Sequence, residues 1–180
     1  MGERENRFEA LFASYSRDIV AYCGWRSPSP ADAQDAAAEV FLTAWRRLDE
    51  LPEGDAARVW LYATARKVLA NKRRSSRRRA ALRERLALEP PRAGEPPSAE
   101  KALVHEALLQ LPARDREVLL LAEWEGLSPT EIAAVVGCLG VTARGRLHRA
   151  RRRFRTTFEQ LRAPEQRVPN AQPLRSQGGS

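Results

Sequence analysis

Apolar side chains recur at three- and four-residue intervals along most of this chain, and nowhere do they alternate with polar ones for long. From Phe8 they fall at Leu11, Phe12, Tyr15, Ile19, Tyr22 and Cys23, the stripe of an amphipathic helix. Ser27-Pro-Ser-Pro30 interrupts it. Ser29, Pro30 and Asp32 then read as an N-cap, a proline at the first helical position and an acid three residues after the cap. The helix they open carries Ala33, Ala36, Ala37, Val40, Phe41, Ala44, Trp45 and Leu48 on one face, and Asp32, Asp35, Glu39 and Arg46 opposite. Residues 48–55, LDELPEGD, form a turn-rich connector. A third helix is predicted from near Asp55 through VWLYATARKVLANKRR into the charge run KRRSSRRR at 72–79.

Periodicity stops at ALEPPRAGEPPSA, residues 87–99, where four prolines and a glycine rule out a helix and mark a linker. Beyond it, Leu103, Ala107, Leu108 and Leu111 predict a short helix, and Pro112 opens the next, REVLLLAEWEG, which Gly126 ends. SPTEIAAVVG is the sharpest local signal. Ser128 is an N-cap, Pro129 suits the first turn and Glu131 completes a capping box. Gly137 stops this helix, CLG turns the chain, and a last helix starts around Val141–Thr142. Two short helices across a tight glycine turn make a helix-turn-helix pattern. The last helix packs through Leu147, Ala150, Phe154, Phe158 and Leu161. The fold class is therefore all-α. Two small helical domains, 1–86 and 100–162, are joined by the linker 87–99, and a disordered tail is expected over 163–180.

Composition supports small helical cores, since many of the apolar residues are alanine and only 7% of the chain is aromatic. The formal charge is +8, but its distribution says more. Residues 1–60 sum to −4, 61–90 to +8, 91–140 to −4 and 141–180 to +8. Each module thus has one basic end, which points to a polyanionic partner. Cys23 and Cys138 have no CxxC spacing or neighbouring histidine, so two buried free thiols are expected rather than a disulfide or a metal site. The N-terminus lacks an apolar signal core, and no run nears the roughly 18 apolar residues of a spanning helix. A soluble, cytoplasmic protein without membrane insertion is expected.

The stretch VTARGRLHRARRRFR, residues 141–155, holds seven arginines. Their density alone does not choose between a solvated cationic face, a partner- or membrane-facing helix and a nucleic-acid surface. The capped helix and turn in front of them favour DNA, because such a second helix enters the major groove with its N-terminal residues first. Arg144, Arg146 and Arg149 lie in those first turns, where arginine can bond guanine edges or anchor phosphates. On the third helix, Trp60, Tyr62, Arg66, Lys67 and Asn71 run into KRRSSRRR. Rings beside bases suit an unpaired strand, while plain core packing is the alternative for Trp60. The carboxylates Asp32, Asp35 and Glu39 beside Phe41 and Trp45 suit either solvent or a basic protein partner. No nucleotide-loop, nucleophile-elbow or zinc-protease motif is present, and His105 and His148 stand alone. Nothing points to an enzyme, a cofactor, a metal or a small-molecule substrate.

Taken in order, these features resemble the bacterial RNA polymerase sigma factors of the extracytoplasmic-function (ECF) group, which keep only regions 2 and 4. Region 2 is matched from about Phe8 to Arg79, through DAQDAAAEVFLTAW and WLYATARKVLANKRR. Region 4 is matched from about Ala107 to Phe158, through LLQLPARDREVLLLAEWEGLSPTEIAAVVG and RLHRARRRF. The resemblance implies core RNA polymerase and promoter DNA as partners, and admits an anti-sigma factor. It implies polymerase contacts at Asp32, Asp35, Glu39, Phe41 and Trp45. The melted −10 strand would lie on Trp60, Tyr62, Lys67, Asn71, Arg73 and Arg74. The −35 duplex would meet Thr142, Arg144, Arg146, Arg149 and Arg151, with Arg151–Arg153 near phosphates. Ala38, Lys67 and Asn71 depart from the family's usual Gln, Asn and Asp. CLGVTARGR replaces a serine-containing turn at unchanged spacing. Two other readings are a helix-turn-helix repressor or activator, which leaves residues 8–79 unexplained, and a nucleic-acid-modifying enzyme, which has no catalytic constellation here.

Overall fold

The computed structural model describes residues 2–83 and 99–163, with side chains described except at 77–83. The described part contains seven α-helices and no strand. Residues 84–98, which include all of the linker except Ala99, and the tail from residue 164 lie outside it.

Helices α1 (Glu3–Gly24), α2 (Pro30–Arg46) and α3 (Asp55–Arg83) build the first module. The Ser29 hydroxyl accepts the Asp32 N–H at 3.1 Å and Pro30 stands at the first helical position, as the SPSP sequence predicts. Ala33, Ala36, Ala37 and Ala44 let α2 lie close against α1 and α3, whose Ile19, Tyr22, Cys23, Leu61, Ala65 and Leu69 fill the space between. A short 3-10 turn, Leu48–Glu50, follows α2 and buries Leu48. It is tied down from α1, where Arg4 pairs with Asp49 and donates to the Trp45 carbonyl at 2.9 Å, and Arg7 donates to the Leu51 carbonyl at 2.6 Å.

The second module comprises α4 (Ala99–Gln110), α5 (Ala113–Glu123), α6 (Pro129–Val136) and α7 (Gly140–Arg162). Ser128 and Glu131 form the capping box in both directions. Gly126 and Gly137 sit at φ +64° and +72°, left-handed values that favour glycine at a helix end. Leu108, Leu121, Ile132, Ala143, Leu147 and Ala150 close the core. Helix α7 begins at Gly140, one residue before the predicted start, because Leu139 serves as its N-cap. Cys138 is only half-buried, unlike Cys23, since it lies in the turn rather than on a core face.

The two modules are not beads on a linker. Helix α3 packs against α6, and buried residues of both modules join in one continuous hydrophobic cluster.

Glu131 links the capping box to this packing, because it also receives Arg58 of α3 at 3.1 Å. Hydrogen bonding to Ser128, then the Arg58 guanidinium, holds its carboxyl below the ordinary value. A lowered folded pKa gives stability that is present above the unfolded value and lost as pH falls through the folded one. Glu131→Gln is therefore expected to cost about 1 kcal/mol at neutral pH. In chemical denaturation that cost should shrink as the pH is lowered from about 5.

Candidate nucleic-acid and polymerase interfaces

Because an α-helix turns 100° per residue, the candidates on α3 cannot all face one way. Trp60, Lys67, Asn71 and Arg74 share one side. Tyr62, Arg66 and Arg73 point roughly opposite. On the first side Lys67, Asn71 and Arg74 are exposed, with Arg74 donating to Asn71 Oδ1 at 3.3 Å. Trp60 is half-buried against the cluster of Leu48, Leu51 and Ala57, so its packing role is present in the structure. Tyr62 lies apart from these in the closed arrangement. It is buried, stacks edge-on to Tyr22 at 5.2 Å, and donates its hydroxyl to Glu125 at 3.0 Å. An unpaired base cannot reach it in this arrangement. Arg73 lies with Arg66 along a cleft toward the second module.

The acidic edge of α2 divides similarly. Asp32, Asp35 and Glu39 are exposed, and Lys72 of α3 lies 3.8 Å from Glu39. Phe41 is buried instead, its ring edge-on to Phe12 at 4.8 Å and Phe8 at 6.4 Å. It supports the edge and is not presented by it. Trp45 is half-buried beneath the Arg4 guanidinium, 5.1 Å from its ring centroid. Phe12 and Leu42, which the sequence reading did not assign to any partner, are exposed large apolar residues on α1 and α2. Only the tertiary packing shows that they are left out of the core.

In α7 the leading residues Arg144 and Arg149 are exposed, while Thr142 and Arg146 are half-buried. Arg151 and Arg153 are engaged within the chain. Arg151 bonds Glu123 at 2.8 Å through both Nε and Nη2, and Arg153 pairs with the buried Asp115. These two arginines hold α7 on α5. Leu139 and Val141 are the most exposed large apolar residues described, at 73% and 66%, and flank the start of α7. They fall outside its apolar stripe, so helical spacing gave them no role.

The module interface is a polar clasp set beside the shared core. Glu117 of α5 accepts the Tyr22 hydroxyl at 2.7 Å and Arg26 Nε at 3.0 Å. Arg26 also donates to the Tyr22 carbonyl at 2.9 Å, stacks over the Tyr22 ring and lies 3.9 Å from Glu125. Burial raises the Glu125 carboxyl above its ordinary value, against the hydrogen bond from Tyr62. Burial likewise pushes the Tyr22 and Tyr62 hydroxyls up, so both remain protonated donors. Trp25 and Trp124 meet edge-on at 5.8 Å on the rim.

Residues 11–79 match Sigma-70 region 2, and residues 101–154 match Sigma-70, region 4. The chain is 30% identical over 159 residues to the ECF RNA polymerase sigma factor SigL of Mycobacterium tuberculosis, covering 84% of this chain and 89% of that relative. It is also 30% identical over 158 residues to the RNA polymerase sigma-H factor of Pseudomonas aeruginosa, covering 80% and 82%. The fold is similar to that of the sigma factor RpoE in its complex with the anti-sigma factor NepR from Bartonella quintana. The TM-score is 0.71 at 23% identity, over 84% of this chain and 96% of that one. CnrH in complex with the cytosolic domain of CnrY gives 0.63 at 23%, over 85% and 88%. The chain belongs to the ECF RNA polymerase sigma factors. It is a transcription initiation factor that binds core RNA polymerase, directs it to promoters and assists strand opening.

Reversing charge in the clasp tests its grip. Glu117→Arg sets a cation against the buried Arg26 and should weaken the interface by about 3 kcal/mol. Small-angle scattering should show a larger radius of gyration, while circular dichroism keeps its helical signal. An unchanged radius would mean that the clasp does not hold the modules together.

Proposed function

We propose that the exposed acidic edge of α2 docks on core polymerase, through Asp32, Asp35 and Glu39 with Phe12 and Leu42 as apolar neighbours. The outward side of α3, with Trp60, Lys67, Asn71 and Arg74, holds the melted −10 strand by stacking and by charge. The first turns of α7 enter the −35 major groove, where Thr142, Arg144, Arg146 and Arg149 meet bases and phosphates. Val141 adds an apolar surface suited to a thymine methyl. RNA synthesis remains the polymerase's chemistry, and this chain acts with it in the cytoplasm. No described helix is long and apolar enough to cross a membrane. An inhibitory partner, of the kind NepR is for RpoE, would have these same exposed surfaces to cover.

The observation that carries this reading is the sorting of α3. Lys67, Asn71 and Arg74 lie on an exposed side, while Tyr62 points into the clasp. The arrangement also sets a condition. Elements at −10 and −35 lie about 25 base pairs apart, roughly 85 Å along B-DNA. Helices α3 and α6 are in contact, so the modules must separate before both elements are bound at once. The linker 87–99 can reach at most about 45 Å when extended. Much of the span must then come from the modules themselves.

Run-off transcription with purified core polymerase and a cognate promoter tests the assignment. Arg144→Ala or Arg146→Ala should each lose about 1–3 kcal/mol of −35-dependent binding, with polymerase co-purification intact. Normal transcription by both variants would remove α7 from the reading role. Asp35→Arg should do the converse and lose core polymerase, and its normal co-purification would overturn the docking edge.

A further inference from the structure

A cleft of about 420 Å³ lies between the modules, and its walls carry five arginines against one carboxylate. Arg26, Arg66 and Arg73 come from the first module, and Arg114 and Arg146 from the second. The single acid, Glu117, is already engaged by Tyr22 and Arg26. Arg66, Arg73, Arg114 and Arg146 make no ion pair among the described residues. Like charges gathered from separate helices repel one another, and folding alone gives no reason to converge them. Arg26 adds a second observation. Its side chain is 8% exposed, and its Nη2 is buried without a hydrogen-bond partner. A buried guanidinium N–H left unpaired is costly.

We propose that this cleft binds a small polyanion bearing two or more phosphates, of nucleotide size or below. Guanidinium groups form paired, charge-assisted hydrogen bonds with phosphate oxygens, and several phosphates are needed to answer four unpaired arginines. Ala113 and Val136 supply an apolar edge on which a base or sugar can rest. Both modules line the cleft, so the ligand binds only the closed chain and stabilises it by mass action. It also occupies Arg146, which on the proposed function belongs to DNA. A bound polyanion therefore holds the factor shut and competes with promoter engagement. The binding itself requires only the closed chain and none of the promoter assignments.

Isothermal titration calorimetry of the full chain, magnesium-free and at fixed ionic strength, tests the site with sodium triphosphate and with ATP as separate probes. Saturable one-to-one binding by either probe, weakened at least tenfold in Arg66→Ala/Arg114→Ala, is the expected result. Both residues are exposed, and circular dichroism should show that the variant is folded. Binding of both probes with ATP tighter would place a nucleoside in the cleft. Binding of triphosphate alone would restrict the ligand to inorganic oligophosphate. No saturable binding, or binding that the double variant leaves unchanged, would overturn the site and assign the affinity to the general cationic surface. A sigma factor active in run-off transcription but blind to both probes would separate this failure from failure of the functional reading.

Discussion

Two carboxylates on the second module, Glu117 and Glu125, decide how the whole chain is arranged. They receive Tyr22, Arg26 and Tyr62 from the first module, and each partner is itself buried or nearly so. Once α1 and α3 have presented these donors, α5 has one satisfactory place to lie. Helix α6 is then set against α3, where Arg58 finds Glu131. Buried charges return much of their attraction as lost hydration, so a clasp of this kind specifies geometry more than it adds strength. Glu125 shows the tension directly, because burial raises its carboxyl despite the hydrogen bond it accepts. That balance suits an interface that holds the modules in one arrangement and can still be opened by a partner that offers more.

The same economy of charge runs through α7. Seven arginines in fifteen residues suggest one cationic surface, but the structure sorts them by what lies opposite. Arg151 and Arg153 meet Glu123 and Asp115, and fasten the helix to α5. Arg144 and Arg149 are exposed near the N-terminal end, and Arg146 turns into the cleft. A helix that must both stay on its module and present charge to DNA needs internal acids for the first task. The acidic excess of residues 91–140 supplies them.

Local chemistry was legible from the sequence wherever it acts locally. The Ser29-Pro30 start, the Ser128–Glu131 capping box and the glycines at 126 and 137 each announce a helix boundary within a few residues. The two modules and the order of their helices follow from those boundaries. What stayed hidden depends on residues distant in sequence. Tyr62 is an aromatic beside basic residues until Glu125, 63 positions away, takes its hydroxyl. Phe41 looks like a docking residue until Phe8 and Phe12 close over it. Arg151 and Arg153 depend on acids 28 and 38 residues earlier. Leu139, Val141, Phe12 and Leu42 became visible as surface only once the core had chosen its members.

A chain that is closed when free and must span two promoter elements makes one central demand, that it open on the polymerase. Energy transfer between dyes at engineered cysteines replacing exposed Ser14 and Thr156 measures this directly, with Cys138→Ser as background. Cys23 can stay, because it is buried and burial pushes its thiol up to about 11. Transfer should be efficient in the free protein and fall sharply when core polymerase is added. Equal efficiency in the two states would contradict the account, since modules clasped as they are here cannot reach both elements.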